Sequence, residues 1–512
     1  MEPYTRIKVI GGREYAYEIT PYYDPETKNT KHKSKYLGVY KDGKIKRKRT
    51  KLPVEAYEYG EFLPLLKIID EMGIDSILYE ELDRRRTDTI LALAMNRVIN
   101  PVSACNVKTW YEKTVLCKMF GDLPLTSQSL SDFLGALGES SIPSDFSKRL
   151  IEKVGQGQPL LYDITSLSSN SKLMDMLEWG HNRDGDGLPQ LNLSIIANKD
   201  LGIPITFDVY PGSIVDVSTL KNTTTRLTAL GIHRPTMVMD RGFFSESNIN
   251  ELFEADFNFV LPASFSNSKV RSIIQQSRKD IEKPAYLKKY NGSILFVKPV
   301  VMGIGGRSVD GFVFYDLKRE KEEKTKFYQR LHDVKYKLER RKLKKYERPS
   351  IVYADITKDL SKYYRYKVRD DRFVEVEMKQ KTMARRANRF GFTVILHRGR
   401  FTWSEAISWS KERDIVEKMF RQLKNDLEAK PVRAHKTEVA RGWIFVGFIA
   451  LILRCRLSKL LIETGLVKDY SIPSLILTLS RLKQIEMSDG SLFITELTKK
   501  HKEIYKALNI EP

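Results

Sequence analysis

The sequence predicts a mixed α/β protein in which a sheet forms the centre. Three apolar segments with short connections follow one another between residues 158 and 212, and their Ile, Leu, Val and Tyr content is typical of strands: PLLYDITSL, PQLNLSIIANK and IPITFDVYPG. The next segment, VSTLKNTTTRLTALGI, has helical spacing, and PTMVMDRGFF after it has the composition of a buried strand. Three consecutive strands favour an antiparallel meander, and a crossover then places the fourth strand in a mixed sheet.

This order of strand, strand, strand, helix and strand opens the ribonuclease-H-like fold, in which the first and fourth strands are neighbours. A helix (SESNINELFEADF) and a strand (NFVLPA) follow. After an insertion, GFTVILH and the helix of residues 413–427 resume the same core. We therefore predict a ribonuclease-H-like catalytic core in two parts, residues 156–263 and 391–434.

Two regions precede this core. Residues 1–55 form a β-rich basic arm that ends in KIKRKRTK, which is either a solvated hairpin or a contact to phosphates. Residues 56–155 are helical, with apolar spacing in EFLPLLKIIDEMGI and DTILALAMNRVI. Thr87 or Asp88 is a candidate N-cap, and Asn100-Pro101 is a stop. A helical domain beside a basic arm suits binding of a DNA end, although such helices also serve as plain packing elements.

Two further regions interrupt and follow the core. Residues 264–390 are a β-rich, basic insertion, with strands in SILFVKPVVM and GFVFYDL, a long charged helix, and renewed alternation in YRYKVRDDRFVEVEM. Residues 435–512 are predicted to be helical, and GWIFVGFIALIL within them is a buried core helix.

Composition and charge restrict the class of protein. The 512 residues are too many for one compact core. The net charge of +22, from 87 Lys and Arg against 65 Asp and Glu, indicates a polyanionic partner, most commonly nucleic acid. The longest apolar run has 12 residues (442–453), too short to span a membrane. The first residues, MEPYTRIKVIGG, contain no apolar run, so we expect no signal peptide. The three cysteines have no CxxC spacing, so we expect neither a disulfide framework nor a zinc site. We expect a soluble intracellular protein.

Two aspartates lie in strands where a charge is costly. Asp163 has apolar neighbours in LLYDITSL, and Asp240 ends the fourth strand in TMVMDRGF. An ordinary cap or salt bridge could compensate each charge. A divalent cation would compensate both, because the two strands are neighbours. Carboxylate oxygens suit Mg²⁺ or Mn²⁺, and two ions about 3.5–4 Å apart would clamp the attacking and leaving oxygens of a phosphoryl displacement.

A third acid, Glu417, lies on the helix of residues 413–427. At 100° per residue, Arg413, Glu417 and Lys424 fall within roughly 40° of one another, beside an apolar stripe of Ile415, Val416, Met419, Phe420, Leu423 and Leu427. A ladder of i,i+4 salt bridges is the ordinary explanation of this pattern. The alternative is a metal ligand whose partner acids lie far away in the chain.

Together these motifs resemble the DDE transposases of bacterial and archaeal insertion sequences, in particular the branch with a Y-x2-R-x3-E-x6-K signature around its last acid. Arg413, Glu417 and Lys424 match that spacing, whereas Ser410 stands at the tyrosine position with Trp409 one residue earlier. YDITSL and MDRGF are similar to the first and second acid motifs, and LPQLNLSI and PGSIVDVSTL to the stretches between them. The resemblance covers about residues 155–460 and includes a β-rich insertion before the glutamate.

The resemblance implies that Asp163, Asp240 and Glu417 are the catalytic residues and hold two Mg²⁺ ions, for which Mn²⁺ can substitute. In this scheme Asp163 bridges both ions. Arg413 and Lys424 would hold phosphates of the transposon end, with Arg241 and Arg421 as further DNA contacts. The resemblance also implies binding of inverted repeats in double-stranded DNA, strand cleavage, transfer of the 3′-hydroxyl to target DNA, and a homodimer on DNA, at work in the cytoplasm.

Two other functions stay open: a ribonuclease-H-like nuclease without strand transfer, and a domesticated DNA-binding protein without chemistry. The presence of all three acids argues against the second. The basic insertion and the helical flanks argue against a minimal nuclease. We assign no catalytic role to five other polar residues: His181, Asp184, Asp186, Asp208 and Asp216. His181 fits a loop, Asp184 and Asp186 fit a turn, and Asp216 fits a helix start.

Overall fold

The computed structural model describes residues 2–25, 27–46, 52–155, 159–180, 185–214, 216–430 and 432–512, without the side chains of 216–218. In the basic run predicted to end the N-terminal arm, residues 47–51 lie outside this description. The arm begins with a four-stranded antiparallel sheet whose strands pair in chain order: β1 (Tyr4–Ile10), β2 (Arg13–Asp24), β3 (Asn29–Lys41) and β4 (Lys44–Lys46).

A helical region follows strand β5 (Pro53–Glu58). Its helices are α1 (Leu63–Met72), α2 (Ile74–Glu81), α3 (Arg84–Ile99), α4 (Val107–Glu112), α5 (Leu116–Phe120), α6 (Ser127–Glu139) and α7 (Ile142–Val154). The predicted stop of α3 at Asn100 is confirmed. The predicted N-cap at Thr87 or Asp88 is wrong, because the side chain of Asp83 caps the helix by accepting a hydrogen bond from the N–H of Arg86 at 2.9 Å.

The first part of the central sheet has the predicted order of elements: β6 (Leu160–Ser168), β7 (Gln190–Asn198), β8 (Ile203–Pro211), α8 (Asp216–Ala229), β9 (Thr236–Met239), α9 (Glu246–Glu254) and β10 (Asn258–Pro262). Strands β6, β7 and β8 form the predicted antiparallel meander. Strand β9 pairs parallel with β6, so the first and fourth strands of this region are neighbours as predicted.

The following segment extends the same sheet before forming a core of its own. It contains α10 (Ser268–Ser277), β11 (Leu287–Tyr290), β12 (Ser293–Ile304), β13 (Arg307–Tyr315), α11 (Leu317–Arg340), α12 (Pro349–Thr357), β14 (Tyr364–Arg369), β15 (Arg372–Met378), α13 (Gln380–Ala387) and β16 (Phe392–Arg398). The sheet has nine strands in the order β11-β12-β13-β16-β10-β9-β6-β7-β8. From α11 onward, a separate buried cluster includes Phe327, Leu331, Leu338, Tyr364, Phe373 and Phe390.

The last part of the chain comprises α14 (Trp403–Glu412), α15 (Asp414–Arg421), α16 (Thr437–Glu463), α17 (Ile472–Leu479), β17 (Lys483–Met487), β18 (Leu492–Ile494) and α18 (Lys499–Ala507). Helix α16 is buried, as predicted for its apolar run. The prediction that everything after residue 435 is helical is wrong, since β17 pairs with β18 and with β5 from the other end of the chain.

Within the described residues, no single helix has the length and apolar character to cross a membrane. One bent pair, Arg84–Ile99 with Ala104–Glu112, meets the criteria of length and composition at an angle of 108°.

Candidate active site

Asp163 lies on β6, an interior strand of the main sheet. All nine residues of β6 are buried, and the strand is covered on one edge by β7 and on the other by β9. Asp163 itself is only 4% exposed, and its Oδ1 accepts a hydrogen bond from the N–H of Ile164 at 2.8 Å. A carboxylate at such a position is costly unless further partners compensate its charge.

Asp240 follows β9 directly and lies beside Asp163. The parallel register pairs Tyr162 with Met239, so one further step places Asp163 level with Asp240. Asp240 ends the strand by capping the short 3-10 turn Arg241–Phe243, and its Oδ1 accepts from the N–H of Arg241 at 2.5 Å. Neighbouring parallel strands thus bring two acids together from positions 77 residues apart in the sequence.

Glu417 reaches the same place from helix α15. The preceding helix α14 starts at a capping box, in which Thr402 and Glu405 satisfy each other's backbone N–H groups, and it contacts β9 and β10. Helix α15 then contacts β6 and buries Val416, Met419 and Phe420. Three elements that are distant in sequence therefore converge at one end of the sheet.

The side chain of Arg413 joins the acids. Its Nη1 lies 2.7 Å from Asp240 Oδ1, and its Nη2 lies 2.6 Å from Glu417 Oε1. Burial alone would lower the pKa of Arg413, but the charges of Asp240, Asp163 and Glu417 outweigh burial and raise it above its ordinary value. All three predicted acids thus act electrostatically on one guanidinium, which is a stronger arrangement than the i,i+4 pair of Arg413 and Glu417 alone.

The carboxylates fit a divalent cation by their chemistry. Asp and Glu oxygens are the hard ligands that Mg²⁺ and Mn²⁺ prefer. Among the residues that the structure describes, no group of three or more His, Cys, Asp or Glu side chains is arranged to hold a metal ion. The guanidinium of Arg413 contacts both Asp240 and Glu417 and offsets part of their negative charge.

The helix of Glu417 does not continue regularly to Lys424. After Arg421 the backbone widens into a π-helical turn, Gln422–Asp426, which contains Lys424. The predicted regular α-helix over residues 413–427 is therefore wrong after Arg421. Each residue of a π turn advances by less than 100° around the helix axis. The alignment of Lys424 with Glu417, which was predicted for a regular α-helix, therefore does not hold. Single π turns occur frequently at functional sites.

A buried arginine fixes this π turn and was missed in the sequence. Arg454 of α16 is only 6% exposed, and its Nη2 lies 2.5 Å from Asp426 Oδ2. Cys455, the next residue, directs its Sγ toward Oε1 of Gln422 at 3.6 Å. The sequence contains a signal for this contact, because Arg454 is a charged residue that directly follows a run of 12 apolar residues. A buried arginine implies an acidic partner.

The other proposed DNA contacts lie around this cluster. Arg241 and Arg421 are exposed, and Lys424 is half-buried. Trp409, the candidate substitute for the signature tyrosine, packs edge-on against Phe401 with ring centroids 5.1 Å apart.

Two of the acids without an assigned role, Asp186 and Asp208, have other partners. Asp186 accepts from Ser168 Oγ at 2.7 Å and pairs with Lys430 at 2.8 Å. Asp208 pairs with Arg226, and α8 begins at Asp216 as predicted. His181 and Asp184 lie outside the described residues.

The chain is similar to a known protein family over the range that contains these residues. The family model described as "Transposase DDE domain" matches residues 156–453, more than half of the chain, and that range contains Asp163, Asp240 and Glu417. No curated protein matches the sequence. Among solved structures, a cryo-EM structure of a piggyBac transposase synaptic complex with hairpin DNA is similar at a TM-score of 0.38 and 10% identity. That similarity covers 77% of this chain and 70% of the other.

Proposed function

The chain belongs to the family of transposases with a DDE domain, and on this premise we propose that it moves its own mobile element, of the insertion-sequence type. It binds the inverted repeats at the ends of the element, cuts the DNA there, and joins the new 3′-hydroxyl to target DNA. The observation that carries this proposal is the convergence of Asp163, Asp240 and Glu417 on Arg413.

The three acids are the catalytic residues of the proposed reaction and would hold two Mg²⁺ ions, with Mn²⁺ as a substitute. Divalent cations bound there would supply activation of the attacking oxygen and charge stabilisation of the leaving oxygen. In cleavage, a water oxygen forms a bond to phosphorus and the bond to the 3′-oxygen breaks, which leaves a 3′-hydroxyl and a 5′-phosphate. In transfer, that 3′-hydroxyl attacks a target phosphate and the target 3′-oxygen leaves.

Arg413 has two roles in this proposal. Without divalent cations it compensates Asp240 and Glu417 directly. With these acids holding divalent cations, the planar fork of Arg413 would be available to the DNA backbone, where it can bind two phosphate oxygens. Lys424, Arg241 and Arg421 are the other proposed contacts to phosphates.

The architecture proposed with this function is a ribonuclease-H-like core. The order β8-β7-β6-β9-β10, with β6 between an antiparallel and a parallel neighbour, supports it. The proposed units are the arm 1–55, the helical DNA-binding domain 56–155, the core 156–263 and 391–434, the insertion 264–390 and the C-terminal region 435–512. Two element ends must be joined in one reaction, so the working form is a dimer on double-stranded DNA, in the cytoplasm.

The substitution Asp163→Asn tests the function. The asparagine keeps the size of the side chain but removes the charge that a divalent cation requires. We expect loss of strand cleavage on DNA carrying the element's inverted repeats in Mg²⁺, with end binding retained, because phosphate contacts elsewhere supply most of the affinity. Gel analysis of the DNA products measures the first effect, and fluorescence anisotropy measures the second.

Asp310→Asn is the matched control. Asp310 is an exposed aspartate on β13 of the same sheet and lies outside the acid cluster. Cleavage by this variant should equal that of the wild type. Normal cleavage by Asp163→Asn would remove Asp163 from the catalytic site and with it the proposed mechanism.

A further inference from the structure

The N-terminal sheet separates its charges between two faces. Residues directly opposite each other on paired strands share a face, so the register assigns every side chain. One face, which we call the cationic face, carries Arg6, Lys8, Arg13, Lys41, Lys44 and Lys46. Among the described residues of β1 to β4, no Asp or Glu lies on this face. All six cations are exposed.

The opposite face, which we call the mixed face, is balanced in charge. It carries three acids and three lysines: Glu14, Glu18, Asp24, Lys31, Lys33 and Lys35. Glu18 lies directly opposite Lys35, and Lys31 forms an ion pair with Asp24. Two of the three lysines of the mixed face therefore lie beside an acid. The excess positive charge of the sheet is concentrated on the other side, and a solvated arm would need no such separation.

Tyrosine rings lie between the cations of the cationic face. The register places Arg6 opposite Tyr17 and Tyr17 opposite Tyr36, while Lys8 lies opposite Tyr15. The ring centroid of Tyr36 is 5.4 Å from that of Tyr17 and 6.1 Å from that of Tyr15. The ammonium of Lys8 lies 5.0 Å from the Tyr17 ring. Tyr36 is 46% exposed, so part of this aromatic cluster is open to a ligand.

The dimensions suit a strand of nucleic acid. Strands β1 and β4 are three strand spacings apart, about 14 Å, and both carry cations, while the tyrosines occupy the two strands between them. Cations beside exposed aromatic rings are the combination that binds single-stranded nucleic acid, through phosphates and stacked bases respectively.

We propose that the cationic face of the N-terminal sheet binds DNA with unpaired bases, holding phosphates with Lys8, Lys44 and Lys46 and stacking a base on Tyr36. This proposal rests on the proposed function for the choice of DNA as the partner. The proposed contact with DNA lies on one face of the arm. The catalytic cluster and the helices of residues 56–155 are different surfaces. In transposition, such DNA arises where strands separate around a cut end.

The first test compares two variants with the same change in charge. Lys8→Gln/Lys44→Gln/Lys46→Gln removes three charges from the cationic face, and Lys31→Gln/Lys33→Gln/Lys35→Gln removes three from the mixed face. Binding of a fluorescent single-stranded oligonucleotide to the full chain is measured by anisotropy over a range of KCl concentrations. We expect the first variant to lose at least tenfold in affinity and to show a salt slope lower by about 2. The second variant should stay within twofold of the wild type.

The second test compares two tyrosines of similar exposure. Tyr36→Ala changes the cationic face, and Tyr22→Ala changes a tyrosine of the mixed face that is 49% exposed. Loss of a stacked base should weaken binding of the single strand roughly tenfold for Tyr36→Ala only. Circular dichroism should show the same folded signal for both variants.

The outcomes of these two tests distinguish a failure of the proposed DNA contact from a failure of the proposed function. If the wild-type chain binds neither single-stranded nor duplex DNA, the proposed function itself fails. If the wild type binds while the two triple variants lose affinity equally, net charge explains the binding and the face assignment is wrong. If the charge test succeeds and the two tyrosine variants bind alike, the stacked base is excluded and the proposal in its stated form is overturned.

Discussion

Arg413 offsets part of the negative charge of three carboxylates, and this gives it a measurable effect on stability. In Arg413→Gln, Asp240 and Glu417 lose their cationic partner and repel each other and Asp163. Both partner acids are about half-exposed, so solvent screens much of this repulsion. We expect the free energy of unfolding to fall by about 1–2 kcal/mol in EDTA. Mn²⁺ should then raise the unfolding temperature of the variant more than that of the wild type, because the guanidinium no longer competes for the acids.

Arg421→Gln is the control for this prediction. Arg421 is an exposed arginine on the same helix, and its replacement changes the net charge equally. Thermal unfolding by circular dichroism, with EDTA or Mn²⁺, gives the comparison. Equal unfolding temperatures for Arg413→Gln and wild type under both conditions would contradict the competition between guanidinium and cation.

Single residues of the site were predictable where a charge conflicts with its surroundings. Asp163 and Asp240 were found because acids among apolar strand residues need compensation. The immediate partner of Asp240 was not found, because Arg413 reaches it across the fold from a position 173 residues further along the chain. Helical spacing predicts the contact between Arg413 and Glu417, but only the tertiary structure shows the contact between Arg413 and Asp240.

At the scale of elements, the contact between α6 and α16 depends on glycine. A Cβ atom on Gly442 would lie 2.1 Å from the carbonyl oxygen of Leu134, a backbone atom that cannot swing aside. Gly442→Ala therefore forces the two helices apart, and we expect a loss of roughly 1–3 kcal/mol in the free energy of unfolding, measured by urea denaturation.

Gly447→Ala on the same helix is the matched control. Its Cβ would meet only the Cδ1 atom of Leu423, at 3.4 Å, and alanine is the better helix former by up to about 1 kcal/mol. This variant should be neutral or slightly more stable. If both alanine variants shift the urea midpoint in the same direction by the same amount, close backbone contact is not what selects glycine at 442.

Elements were predictable where their pattern is local. The meander β6 to β8 and the apolar helix α16 follow from strand composition and from a run of buried residues. The start of α3 was placed one turn late because Arg84, Arg85 and Arg86 carry no apolar signal, although they belong to the first turn. The C-terminal strands were missed because β17 is short and pairs with β5, whose residues precede it by more than 420 positions.

At the scale of the whole molecule, the two ends of the chain meet in one structure. Strand β5 pairs with β17, and the hydroxyl of Tyr505 in α18 donates to the carbonyl oxygen of Gly60 at 2.9 Å. Gly60 is packed so closely that an added Cβ would meet the carbonyl oxygen of Leu479 at 2.4 Å. The nine-stranded sheet also joins distant parts of the chain. Strand β13 precedes the long helix α11 and β16 follows it, and these two strands pair in the sheet. Pairings of this range have no local signal in a single sequence.

Glu61 lies in this junction and makes its stability depend on pH. The side chain is 2% exposed, and its Oε2 has no hydrogen-bond partner among the described residues. Burial raises the pKa of Glu61 to about 7, with a smaller contribution from the charge of Glu58. The unfolded chain has the ordinary value of 4.5. Between these values the folded state keeps a proton that the unfolded state releases, so stability falls as pH rises from 4.5 to 7 and remains lower above 7.

Glu61→Gln should remove this dependence. Glutamine has nearly the same shape and no proton to lose, so the variant and the wild type should have similar unfolding free energies at pH 5. At pH 8 the variant should be more stable by up to about 3 kcal/mol, the equivalent of the pKa difference. The measurement is urea denaturation at pH 5, 6, 7 and 8. Glu71→Gln is the control, because Glu71 is an exposed acid of α1 that pairs with Lys67. Its variant should follow the wild type within a few tenths of a kcal/mol at each pH. A constant difference between Glu61→Gln and wild type from pH 5 to pH 8 would show that Glu61 is ionised in the folded chain throughout, and that the junction of the two chain ends tolerates a buried charge.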